Sequence, residues 1–128
     1  MSQNIKTIPT SEYEAVVAAV QHYVDSLIGA DRAALDRAFY DEATKTGWSP
    51  DGSLSTGSYK NLHAYFEAYG PAKNIKTRAD VLGITPTTAV VKLDIEEAPG
   101  GPYTDFLTLF KKDGGWKIIA KVFHAYES

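Results

Sequence analysis

No cysteine occurs among the 128 residues. That one absence excludes a disulfide framework, a thiolate nucleophile, a cysteine-ligated zinc and an iron–sulfur cluster. A basic face is lacking as well. Thirteen Lys and Arg stand against 16 Asp and Glu, interleaved, for a formal net charge of -3. Recognition of a nucleic acid needs a clustered positive field, so no nucleic-acid partner is expected. No apolar run approaches the ~20 residues that span a bilayer, so no membrane partner is expected either. The start, Met1-Ser2-Gln3-Asn4-Ile5-Lys6, lacks the basic-then-apolar layout of a signal peptide, which makes a cytoplasmic location the default. HExxH, GxSxG, the P-loop and GxGxxG all fail to match. The three histidines, His22, His63 and His124, are not spaced as metal ligands. Neither a metal nor a cofactor is expected.

What is present is the balance of a globular protein, with 44% hydrophobic and 23% charged residues in 14.0 kDa. A chain of this length buries roughly two-thirds of its unfolded surface and needs no staple. Residues 1–10 lack periodicity and read as an arm, leaving 11–128 as a single domain. Ser11 and Glu14 have capping-box spacing. Apolar residues then recur at helical period from Tyr13 through Val16, Val20, Tyr23, Val24 and Leu27, with Gly29 as a left-handed stop. Asp31 opens a short second helix that turns Leu35, Ala38 and Phe39 inward. Two extended pieces follow, 43–49 and a second reaching Gly57, around the turn Pro50-Asp51-Gly52. Ser58 caps a third helix that Gly70-Pro71 ends.

The second half is built differently. Segments 77–85, 88–96, 103–112 and 116–126 are rich in β-branched and aromatic residues and separated by short turns. Strands so connected are antiparallel. Helices first and a meander after them give an α+β fold, with helices over one face of a curved sheet.

Asp113-Gly114 reads as a two-residue hairpin turn, which pairs Lys112 with Gly115. Counting back pairs Leu109 with Ile118, Leu107 with Ala120, Asp105 with Val122 and Tyr103 with His124. If Glu96 pairs with Tyr103, Asp94 faces Asp105 and Lys92 faces Leu107, unless the longer loop slips the register by one. This count gathers Lys92, Asp94, Asp105 and His124 on one face. Phe106, Lys121 and Phe123 fall on the other. Both faces of the last two strands are apolar, so neither is fully wet. One takes the helices, and a second copy of the chain covers the other, giving a homodimer.

Asp105 and His124, diagonal neighbours in this count, are the catalytic candidates: a carboxylate that orients an imidazole can move a proton near neutral pH. A salt-bridged pair at the sheet rim, or polar groups within the dimer interface, is the structural alternative. Asp94 opposite Asp105 would raise one carboxyl pKa, or simply mark a solvated hairpin end. Lys121 interrupts an apolar strand, so its ammonium must reach the rim, a carboxylate or a ligand anion. Tyr23, Phe39, Trp48, Tyr65, Phe66 and Phe106 lie on stripes expected to face inward. Tyr23, Phe39, Trp48, Phe66, Phe106 and Lys121 are the candidates to line a ligand cavity at the open end of the sheet. If the Phe106 and Phe123 side is the core, Lys121 enters the cavity and Asp105 with His124 goes to the interface.

The chain resembles the NTF2-like superfamily, the cystatin-like α+β cone, and within it the small bacterial family labelled "putative lumazine-binding", akin to the SnoaL-like proteins. The likeness is carried by Tyr23-Val24-Asp25-Ser26-Leu27, Gly29-Ala30-Asp31 and Leu35-Asp36-Arg37-Ala38-Phe39. It continues in Tyr103-Thr104-Asp105-Phe106-Leu107-Thr108-Leu109 and in the run from Trp116 to His124. The resemblance implies a cone-shaped curved antiparallel sheet wrapped around a long N-terminal helix plus two shorter helices, commonly dimeric. Relatives of this shape include isomerases, dehydratases, polyketide cyclases and assembly domains, so fold alone names no chemistry. Three functions follow as expectations. A mostly apolar cavity binds a small organic molecule; or a metal-independent acid–base enzyme isomerises, dehydrates or cyclises one; or the chain is a dimerisation domain filled by its own Tyr and Phe side chains.

Overall fold

The long first helix, α1 (Thr10–Gly29), begins directly after Pro9 in a computed structural model that describes residues 5–127. Residues 1–4 of the expected arm, and residue 128, lie outside the described residues. Pro9 itself is the N-cap, and no side chain caps the helix, so the capping box expected of Ser11 and Glu14 does not form. Glu12 instead accepts from Lys111 Nζ and, at 2.8 Å, from Trp116 Nε1, tying the first turn of α1 to the far strands. At the other end the left-handed residue is Ala30 (φ 48°), one position beyond the expected Gly29. Its neighbour Asp31 donates its N–H to the Ser26 carbonyl at 2.9 Å and accepts from Ala33 N and Ala34 N. That carboxylate starts α2 (Arg32–Ala38), which buries Ala34, Leu35 and Ala38.

Among the described residues six strands form one curved sheet: β1 (Phe39–Trp48), β2 (Leu54–Ser58), β3 (Lys76–Ile84), β4 (Thr88–Glu96), β5 (Tyr103–Lys112) and β6 (Gly115–Ala125). A 3-10 turn at Tyr59–Asn61, started by the Ser58 hydroxyl, leads into α3 (Leu62–Tyr69). Spatial order is β2-β1-β6-β5-β4-β3. All neighbours are antiparallel except β1 and β6, which run parallel. The sheet wraps α1, whose stripe of Val16, Val20, Tyr23, Val24 and Leu27 is buried against it. From the sheet side Val91, Leu93, Leu107, Leu109 and Ile118 are fully buried, each contributing about 1.5–3 kcal/mol. Among the described residues no helix is long and apolar enough to cross a membrane.

Two register details decide which residues meet. Lys112 pairs with Gly115 around Asp113 (φ 54°) and Gly114 (φ 80°), and Leu109 pairs with Ile118, as the hairpin count requires. A β-bulge then inserts Ile119, so Leu107 faces Lys121 rather than Ala120, and Asp105 faces Phe123 rather than Val122. The loop before β5 also slips by one. Ile95, not Glu96, pairs with Tyr103, which puts Leu93 opposite Asp105 and Asp94 opposite Thr104. Glu97 takes φ 63° there, and Gly100 and Gly101 also have positive φ, which absorbs the extra residue. Each one-residue change exchanges the faces of everything beyond it.

A charged cavity under the open end of the sheet

With the bulge in place, the inner face carries Asp105 from β5 and Lys121 and Phe123 from β6 together. The count without a bulge had kept Asp105 apart from Lys121. The parallel neighbour adds Lys45 of β1, whose Cα partner is Lys121. These side chains border a cavity of about 390 Å³ between the sheet, α1 and α3. Tyr23 enters from α1, Tyr65 and Tyr69 from α3, and Tyr103 from β5. The turn between β1 and β2 brings Asp51 to its lining.

Asp105 is 1% exposed, and Lys121 is also buried. Their ion pair is 3.8 Å long, beyond hydrogen-bond reach. Tyr23 donates its hydroxyl to Asp105 Oδ2 at 3.0 Å, whereas Oδ1 has no hydrogen-bond partner among the described residues. Burial pushes the Asp105 carboxyl up, opposed by the Lys121 ammonium and the Tyr23 hydroxyl. The same burial pushes Lys121 down, opposed by Asp105. Tyr23 is pushed well above the usual phenol range, first by burial and then by the Asp105 charge. The Lys121 ammonium rests over the rings of Tyr23 and Phe123, 5.1 and 5.2 Å from their centroids.

The other candidates fall elsewhere. His124 is exposed on the outer face, paired with Thr104 and Trp48 and set edge-on to Tyr126. It therefore cannot orient Asp105, because the bulge has turned the two to opposite faces. Asp94 and Lys92 share that outer face, where Asp94 accepts from the Thr104 hydroxyl at 2.7 Å. The expected ionisable group of four thus loses its member Asp105. Trp48 and Phe106, expected inward, are 61% and 45% exposed on the outside. Phe39 and Phe66 are inward but lie in the core, not on the cavity wall. Phe39 stacks on Tyr59 with centroids 4.7 Å apart and meets Tyr23 edge-on at 5.4 Å, so it fixes the ring that reaches Asp105. Lys45 was not anticipated: between Thr44 and Thr46 it reads as a solvated residue, and its inward direction comes from pairing with a strand seventy-odd residues away. Among the described residues no three His, Asp or Glu side chains gather as metal ligands.

A protein-family model described as "Putative lumazine-binding" matches residues 11–124. Among proteins of named activity, the aldolase FrzH of Cladobotryum sp is 37% identical over 122 residues, covering 94% of this chain and 97% of that one. A solved NTF2-like protein of unknown function from Shewanella baltica superposes with a TM-score of 0.87 at 27% identity, over 96% of this chain and all of its own. A second, from Silicibacter pomeroyi, gives 0.82 at 28% identity, over 93% of this chain and 100% of its own.

Proposed function

The chain belongs to the "putative lumazine-binding" family of NTF2-like proteins, and from that premise we propose that it is a small-molecule enzyme that moves a proton at a carbon beside a carbonyl group. The observation that carries this reading is the Asp105 carboxylate: buried in the wall of a ligand-sized cavity, with one oxygen that no donor among the described residues reaches. A carboxylate lifted out of water is a stronger base than a solvated one. Tyr23 holds Oδ2 and so fixes the carboxylate; in this reading Oδ1, buried and without a donor among the described residues, is the oxygen that accepts the proton. As the proton leaves carbon, the electron pair of the broken C–H bond spreads onto the carbonyl oxygen. The Lys121 ammonium, buried beside the carboxylate, meets that developing charge.

An enolate formed this way leads to isomerisation, dehydration, cyclisation or bond formation to a second carbonyl carbon. The name of the Cladobotryum relative, an aldolase, falls in the last group and supports a carbonyl substrate. The family description names lumazine, which belongs among the compounds to be tried as ligands. An open cavity counts against the dimerisation-domain alternative, which required this space to be filled by Tyr and Phe side chains.

The test is deuterium uptake. 2-Tetralone, a bicyclic ketone with exchangeable protons beside its carbonyl, is incubated in D2O and followed by NMR. Wild type is expected to exchange at least about a hundredfold faster than the double variant D105N/K121M. That variant removes the base without stranding a buried ammonium. Equal rates in the two proteins reject the reading.

A further inference from the structure

We propose that the cavity takes a planar organic anion and that Lys45 is the residue that selects its negative charge. The inference deepens the reading above, on which it rests for the carbonyl substrate alone: that compound carries a carboxylate or an equivalent anionic group.

Charge arithmetic at the cavity leads there. Lys45, Lys121 and Asp105 face the same space. Asp105 and Lys121 form an ion pair and cancel. Lys45 is left over. Strands β1 and β6 set it directly beside Lys121, so two ammoniums project inward from adjacent positions. Among the described residues the groups that meet the Lys45 ammonium are the Ser55 hydroxyl at 2.8 Å and the face of Phe123, 5.4 Å to the centroid. Neither is charged. The remaining carboxylate of the lining, Asp51, keeps its charge but is exposed in its own turn, hydrogen-bonded to the N–H and hydroxyl of Ser53, and is not among the charges that act on Lys45. An uncompensated cation against apolar walls is costly, and an anion brought by a ligand removes that cost. The walls are largely aromatic, with Tyr65, Tyr69, Tyr103 and Phe123 around the space, tilted or edge-on to one another, so a planar aromatic body can meet both ring faces and ring edges.

A pH signature accompanies the geometry. The titratable groups around Lys45 are Lys121 of β6, Asp105 of β5, Asp51 of the turn, and the tyrosine hydroxyls of α1, α3 and β5. Burial, then the Lys121 ammonium, brings Lys45 down to about 8, with Asp105 opposing. A bound anion favours the charged form and lifts that value again. Affinity for an anion is therefore full below about 8 and falls as pH rises past it, with proton uptake on binding in that range.

Calorimetric titration of the full chain with benzoate and with benzamide, its neutral near-isostere, tests this. Near neutral pH benzoate is expected to bind at least about tenfold more tightly than benzamide. The preference should drop below about twofold in Lys45→Met, survive in Lys45→Arg, and shrink in wild type at about pH 9.5. Equal affinities in wild type, a preference that persists in Lys45→Met, or no benzoate binding at about 10 mM overturns the proposal. If Lys45→Met fails to fold, the wild-type pH comparison and Lys45→Arg decide. Proton transfer is not read here. Charge preference without deuterium exchange leaves Lys45 its role and removes the catalytic reading, and exchange without preference does the reverse.

Discussion

Asp105 and Lys121 hold one another in a place neither would occupy alone. Both are almost free of solvent, and each opposes the shift that burial imposes on the other. Removing one partner of such a pair leaves an uncompensated buried charge, while removing both does not. Asp105→Asn is therefore expected to lower unfolding free energy by about 3 kcal/mol or more, and Asp105→Leu with Lys121→Met to recover most of that loss. Urea melts of the three proteins check it, and a double variant as unstable as the single one contradicts the pairing. A buried ion pair is weak evidence for stability, since well-packed apolar residues can often replace one, so its place in a cavity wall points to use. These two residues stand out in the sequence because each interrupts an apolar strand. Which face they share does not, since it depends on the bulge at Ile119, and Ile118-Ile119-Ala120 contains no glycine or other sign of it.

The junction of β1 with β6 joins the β1–β2 hairpin to the rest of the sheet, and it depends on a residue with no side chain. Gly47 pairs with Phe123 across the parallel ladder and is buried. A Cβ at Gly47 would lie 2.4 Å from the Phe123 carbonyl oxygen and 2.7 Å from its ring. The first contact is with backbone, so the strands themselves would have to part. Gly47→Ala should cost about 1–3 kcal/mol and displace the Phe123 ring from the cavity wall. Thermal melts and the benzoate titration read the two effects; an unchanged melting temperature denies the close contact. Element identity was largely legible: the long helix, the Asp31 and Ser58 starts and the four later strands follow from periodicity and turn residues. The parallel pairing of β1 with β6 was not, because it joins segments far apart in sequence and no local signal encodes it. Ionic and aromatic residues near the Ala98–Pro102 loop were misplaced for a related reason. A five-residue loop admits more than one register, whereas Asp113-Gly114 admits one.

The outer face of the sheet carries Lys92, Asp94 and His124, yet an apolar band remains on it after every register correction. Phe106 pairs with Val122 and Val122 with Thr46, so Phe106, Val122 and the neighbouring Trp48 form a band across β5, β6 and β1. Phe110 and Val90 extend it, and all five are exposed. An apolar band of this extent on a free chain favours association, and a surface that presents itself symmetrically to a second copy gives a closed dimer. We expect a homodimer through this face, burying on the order of 800 Å² per partner. Native mass spectrometry and light scattering should then report twice 14.0 kDa. Because Phe106 and Val122 are exposed in the single chain, Phe106→Glu with Val122→Glu should give a folded monomer with an unchanged far-ultraviolet circular dichroism spectrum. A wild-type monomer, or a double variant that still dimerises, removes this face from consideration. The cavity lies on the opposite side of the same strands, between the sheet and α1 and α3. Association through the outer face thus leaves its mouth clear, and the monomeric variant should still prefer benzoate over benzamide. Loss of that preference on dissociation would mean that the second copy shapes the cavity, tying assembly to the site through the strands they share.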